Sequence, residues 1–181
     1  MQSKTVERWF VLRDLKRSNA HDRAYSVLAG RGLNVFTPLR TRLVTSGGRT
    51  RRVVSPVITD LLFVRDTMEV LDKIVEEIPT LQYRYARGAG YRQPMTVPEE
   101  EMDRFILAVR SSENVRYYTP EEVTPQMFGR EVSIVGGPLD GFSGRLLKVR
   151  GNREKRLIVE LQGYLYAAPE VSPDFIRIEE K

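Results

Sequence analysis

Two groups of residues in this chain have types and spacing suited to chemistry, and neither is catalytic. Arg40, Arg42, Arg49, Arg51 and Arg52 fall within residues 37–59, which hold no Asp or Glu, around the turn Ser46-Gly47-Gly48. Two extended runs joined by glycines predict a hairpin. Clustered guanidiniums on it suit a polyanion, because phosphates neutralised by arginine release counterions. The same pattern also suits a solvated edge guarded by charge. The second group is the run Gly136-Gly137-Pro138-Leu139-Asp140-Gly141-Phe142-Ser143-Gly144. Pro138 presets a turn's second position, Asp140 can accept from nearby amides, and Gly141 can reverse the chain. Gly144 suits a close approach of two backbones.

Ordinary enzyme chemistry finds little to work with. The one histidine, His21, has no cysteine or second histidine to join it as a metal ligand. Glu99, Glu100, Glu101 and Asp103 fit the positive end of a helix better than an acid–base pair, since successive helical residues point in different directions. Gly30-Arg31-Gly32 and Gly88-Ala89-Gly90 lack the residues that complete a phosphate cradle. The expectation is a protein that is not an enzyme, with no cofactor and no metal.

The elements that must position the two groups follow from periodicity. Residues 7–13, with Trp9, Phe10, Val11 and Leu12, predict a largely buried strand. A helix capped by Ser18 or Asn19 should follow to about Gly30, with Ala20, Ala24, Val27 and Leu28 on its apolar face. Strands are expected at 35–36, 39–45, 50–57 and 61–65. A helix over 67–77 would bury Met68, Leu71, Ile74, Val75 and Ile78. Residues 81–85 and 91–97 read as extended. A third helix begins after Pro98, with Met102, Phe105, Ile106 and Val109 facing inward. Residues 111–127 are polar and carry Pro120 and Pro125, the composition of a linker. Beyond them 131–135, 145–150 and 157–161 alternate with a two-residue period, as short strands of a small β-barrel do.

Charge divides along the chain in the same way. The 181 residues carry a formal net charge of +5. Residues 1–111 hold 19 Lys and Arg against 13 Asp and Glu, net +6, and the remainder hold 10 against 11, net −1. The basic excess therefore lies in the part that contains the hairpin. No long apolar run or charged leader is present, so a soluble, unexported protein with no membrane contact is expected. The absence of cysteine suits a reducing cytoplasm.

Gly129, Val132, Ile134, Gly136, Gly137, Pro138, Gly141, Gly144, Leu146 and Val149 resemble the KOW motif of NusG-type transcription factors and some ribosomal proteins. Trp9-Phe10-Val11-Leu12, the basic hairpin, the strand 58–64, and the run Gly88, Gly90, Pro94 and Thr96 to Ile106 resemble a NusG N-terminal domain. Nearly the whole chain is similar to that family, and in organisation it looks closest to the UpxY-type paralogues of Bacteroides-like bacteria, antiterminators of surface-polysaccharide operons. The resemblance implies an α+β fold: an N-terminal antiparallel sheet flanked by helices (1–111), a linker (112–127), and a small SH3-like β-barrel carrying the KOW motif (128–181).

It also implies a function. Such a protein binds the clamp helices of RNA polymerase through its N-terminal domain and suppresses pausing or termination. The positions matching the polymerase-facing pocket are Trp9, Ile58, Leu61 and Phe63. Here the family's frequent Phe-Pro-Gly-Tyr-Val is replaced by Ile58-Thr59-Asp60-Leu61-Leu62-Phe63-Val64. The arginines of the hairpin would face DNA or RNA of the elongation complex, and the barrel would meet a ribosomal protein or Rho, the protein acting as a monomer. In one specialised paralogue of the family the C-terminal domain forms a helical hairpin, but the alternation and the glycines here predict strands. The alternative is a free-standing RNA-binding or ribosome-associated protein, in which Tyr83-Arg84-Tyr85-Ala86-Arg87 and Tyr91-Arg92 could stack on bases.

Overall fold

The computed structural model describes residues 5–18, 20–86, 88, 93–151 and 153–179. The chain divides into two compact units, Met1–Glu99 and Glu100–Lys181.

The first unit is built on β1 (Arg8–Asp14), whose apolar run is buried from Trp9 to Leu12. An unbroken run rather than an alternating one is what a strand buried on both faces needs. After it come α1 (Ala24–Gly30), β2 (Asn34–Phe36), β3 (Leu39–Ser46), β4 (Arg49–Pro56), β5 (Leu62–Asp66), α2 (Met68–Glu77), β6 (Leu81–Tyr83) and β7 (Thr96–Val97). The sheet runs β2-β5-β1-β6, with β7 also paired to β1, and its pairings are antiparallel. One core gathers Phe10 and Leu12 of β1, Leu62 and Val64 of β5, and Ala24, Leu28, Leu71 and Ile74 of the two helices. By strand alternation Trp9, Val11 and Phe63 lie on the opposite face, where they are also buried. Tyr83 packs its ring 5.9 Å from that of Phe10 and donates its hydroxyl to Asp72 at 3.1 Å. Burial, with the Asp72 carboxylate beside it, pushes that hydroxyl well above the ordinary tyrosine range.

The first helix begins later than its periodicity suggests. Its N-cap is Arg23, in extended conformation and without a side-chain cap. The capping is done from a distance: Asp14 at the end of β1 accepts from the Ala24 amide at 2.9 Å. Arg23 Nε lies 3.4 Å from the same carboxylate, and both side chains are almost wholly buried. The rest of the guanidinium donates to the carbonyls of Lys16, Arg17 and Thr59. Holding Arg23 in this way keeps residues 20–23 out of the helix, so Ser18 caps nothing; Asn19 lies outside the described residues. By contrast α2 starts where expected, with the Thr67 hydroxyl accepting from the Val70 amide.

The second unit takes in α3 (Glu99–Arg110) from Glu100 onward, with Met102, Phe105 and Ala108 buried. Then follow β8 (Arg116–Tyr118), β9 (Phe128–Ile134), β10 (Ser143–Leu147), β11 (Val159–Leu161), β12 (Leu165–Ala168) and β13 (Ile176–Ile178). They form two antiparallel three-stranded sheets, β10-β9-β13 and β11-β12-β8. Between the sheets run the Leu146–Leu157 bridge and the bond from the Leu147 amide to the Arg156 carbonyl at 2.8 Å. The described residues of 128–179 hold strands and a short 3-10 turn, not a helical hairpin.

Part of the stretch read as linker is structured, because β8 pairs Tyr117 with Ala167 and Tyr118 with Tyr166. Burial pushes the Tyr117 hydroxyl up to about 12. Arg156, fully buried, donates to the carbonyls of Asn114 and Ala168 and to Glu154, which fixes the approach to β8. No helix among the described residues is long and apolar enough to cross a membrane.

The buried pair at the end of β1 is the exposed weakness of the first unit. Asp14→Ala should cost about 3–5 kcal/mol, because it strands a buried guanidinium and leaves the first amide of α1 without its acceptor. Denaturant unfolding followed by fluorescence of Trp9 would measure it. A change within about 0.5 kcal/mol, the range of an ordinary surface substitution, would contradict this reading.

Candidate nucleic-acid interface and the loops beside it

The basic hairpin forms as its sequence predicts. Among the described residues strands β3 and β4 pair only with each other, from Leu39–Pro56 to Ser46–Arg49, with no shift of register. The two-residue turn between them is Gly47-Gly48, with φ of 58° and 75°. Positive φ at both positions is the type I′ turn that matches strand twist, and glycine takes it without penalty.

An unbroken register decides which side chains share a face. Residues directly opposite point the same way, and the face changes with each step along the strand. Arg40 opposite Ser55, Arg42 opposite Val53, Arg51 opposite Val44, and Arg49 opposite Ser46 therefore occupy one face. The other face carries Leu39 and Pro56, Thr41 and Val54, Leu43 and Arg52, and the Thr45–Thr50 pair with its hydroxyls 3.0 Å apart. The structure thus brings four of the five arginines together and places Arg52 across the ribbon, beside Leu43, which is 70% exposed. All five are exposed, and none of them is in an ion pair among the described residues. Several arginines elsewhere in the unit behave differently: Arg13 and Arg84 meet Asp60, Arg31 meets Glu77, and Arg65 meets Glu7 and Glu99.

Residues 57–61 leave the hairpin and lead into β5. Thr59 gives its carbonyl to Arg23, Asp60 accepts from Arg13 at 3.2 Å, and Leu61 gives its carbonyl to the Thr37 hydroxyl at 2.9 Å. Asp60 also lies 3.5 Å from Arg84. The aspartate that departs from the family pattern is therefore an anchor for this loop. Of the four residues matched to a polymerase-facing pocket, Trp9, Leu61 and Phe63 are buried, with at most 3% of each exposed, and Ile58 is half-buried. The Leu61 amide donates to the Ile58 carbonyl at 3.3 Å.

The glycine turn in the second unit is held as tightly. The Asp140 carboxylate accepts from the Gly136 amide at 2.6 Å, and Gly141 donates to the Ile134 carbonyl at 2.9 Å. Phe175 sets the requirement for glycine, a residue that sequence reasoning missed because it lies far along the chain. A Cβ on Gly137 would fall 2.6 Å from its ring, at a φ of +70°. At Gly144 a Cβ would meet the Ile158 carbonyl at 3.3 Å, the close backbone approach expected there. Pro138 is exposed while Leu139 and Phe142 turn inward. Arg104 of α3 donates to the Ser143 carbonyl at 2.7 Å and lies 4.7 Å over the Phe142 ring.

The base-stacking alternative finds less here. Tyr83 is committed to the core, while Tyr85 is half exposed with its ring 6.2 Å from that of Tyr83. Arg87, Tyr91 and Arg92 lie outside the described residues. No three of His, Cys, Asp and Glu converge as metal ligands among the described residues.

The first unit is thus an antiparallel sheet with two helices in its core and an exposed basic hairpin, and the second holds α3 and two three-stranded antiparallel sheets, the make-up of a two-part α+β protein. The family model described as "NusG: Transcription termination factor nusG" matches residues 7–106. That is more than half of the chain, and the chain belongs to the NusG family of transcription factors. It is also similar in fold to a solved structure described as "Domain interaction in Thermotoga maritima NusG", at 16% identity and a TM-score of 0.52, over 98% of this chain and 100% of that one. No curated protein matches the chain.

The turn yields a comparison that separates steric from conformational cost. Gly141→Ala, at a φ of +81° with open space around it, should cost about 1 kcal/mol. Gly137→Ala adds an overlap with the Phe175 ring and should cost roughly 1–3 kcal/mol more. Calorimetry of the full chain would rank them. Equal costs would mean that Phe175 does not dictate the glycine.

Proposed function

We propose that this protein is a transcription elongation factor that binds RNA polymerase through its first unit and suppresses pausing or termination. The observation that carries the reading is the family match over residues 7–106, which spans the sheet, the hairpin and the 57–61 loop. Ile58 is the contact residue. It is the one member of the matched group that is only half-buried, and it sits on a loop fixed at Thr59, Asp60 and Leu61. Trp9, Leu61 and Phe63 act through packing, by holding the sheet and loop that present it. The clamp helices of the polymerase are the partner surface, and the arginines of the hairpin face nucleic acid of the elongation complex.

The finer assignment follows the similarity in organisation. We infer that the protein serves particular operons, such as those for surface polysaccharides, in the manner of the UpxY-type paralogues. The KOW-like turn, built around Gly136, Gly137, Pro138, Gly141 and Gly144, presents the second unit to a ribosomal protein or Rho.

Retention of the full chain by core RNA polymerase, free of nucleic acid, tests the central step. Ile58→Glu should weaken it at least tenfold while the melting temperature stays near that of the parent, because an unpaired carboxylate would be buried at the contact. Unchanged affinity in the folded variant would remove Ile58 from the interface. Retention of the parent by RNA alone, with none by polymerase, would favour a free-standing RNA-binding protein.

A further inference from the structure

The register of the hairpin separates its arginines in a way that their sequence order does not suggest. Arg40, Arg42, Arg51 and Arg49 fall on four successive rungs of one face, in that order from the root to the turn. Each rung pairs its single arginine with Ser or Val, so no two guanidiniums stand directly opposite each other. Rungs on one face recur every two residues, roughly 6.8 Å apart, so the four charges form a row roughly 20 Å long. A guarded edge needs charge but has no need of this order, since arginines scattered over both faces would protect it equally well.

We propose that this face is a ladder for the phosphates of a single nucleic-acid strand, one arginine to a rung, with Arg52 outside it. The inference rests on the nucleic-acid reading of the hairpin and makes it specific. A single row of charges matches one backbone. Over roughly 20 Å a strand of B-form duplex advances about six base pairs, more than half a helical turn, and winds away from such a row. A single strand can lie along it. No aromatic residue shares the face to stack on bases, and the neutral residues are Ser and Val, so contact is through charge and indifferent to sequence. The row is available because no carboxylate among the described residues pairs with its arginines.

The test uses the full chain without polymerase, so its failure would be distinct from failure of the polymerase reading. Binding to a labelled twenty-residue oligo-dT, and to a duplex of the same length, would be followed by anisotropy over a range of salt. Replacing Arg40, Arg42, Arg49 and Arg51 together by glutamine should reduce the log–log salt slope on the single strand by about 2.8, at about 0.7 for each lost contact. Arg52→Gln should change it by much less than one such step. Replacing the same four by lysine should keep the slope, which separates lost charge from a damaged hairpin. The proposal is overturned if Arg52→Gln costs as much as a ladder arginine, if the fourfold glutamine variant keeps the parent's slope, if the lysine variant loses it, or if the duplex is bound more tightly and loses more.

Discussion

Much of the first unit depends on one buried ion pair. Asp14 closes β1 and Arg23 opens α1, and they meet where neither could be left alone without a large desolvation cost. Asp14 serves two amides besides, those of Lys16 and Ala24. Arg23 reaches on to Thr59, in the loop by which the hairpin returns to the sheet. Strand end, helix start and hairpin exit are thus fixed by a single charged contact. The neighbouring Asp60, with Arg13 and Arg84, repeats the device at the surface, where each such pair is worth less.

Arginine does opposite work in two parts of this unit. Around the sheet Arg13, Arg23, Arg31, Arg65 and Arg84 are paired with carboxylates and hold loops and ends in place. On the hairpin it is unpaired and ordered by the pleat, and its charge remains available for an external partner. Composition cannot distinguish the two uses. Pairing and register can, because a guanidinium already satisfied by a carboxylate has little left to offer a phosphate.

Strong periodicity made most elements legible in the sequence. The run Trp9 to Leu12, the apolar faces of α2 and α3, the hairpin and the alternating strands of the second unit all appear close to where their patterns place them. The misses have physical causes. The start of α1 was set by Asp14, distant in sequence from a cap position, so no local cap signal could reveal it. The short strand β8 is too brief to show a two-residue period and precedes Pro120 and Pro125 in a polar stretch, so its sequence reads as linker. Strands β12 and β13 carry no alternating pattern long enough to mark them apart from the turns beside them. Within the candidate site, the glycine turn was readable but its dependence on Phe175 was not. The division of the arginines by face was latent in the sequence, since a two-residue turn at Gly47-Gly48 fixes the parity of every pair, but the cluster invited a count of charges instead.

In the function proposed for this NusG-family protein, the first unit presents a pinned loop to polymerase and an exposed basic ribbon to nucleic acid. Single-round transcription by purified core RNA polymerase, on a template with a strong pause site, tests that claim most directly. Added full-length protein is predicted to shorten the pause and raise the fraction of complexes that read through, saturating with concentration. Pause duration and read-through unchanged at every concentration of the folded protein would contradict it.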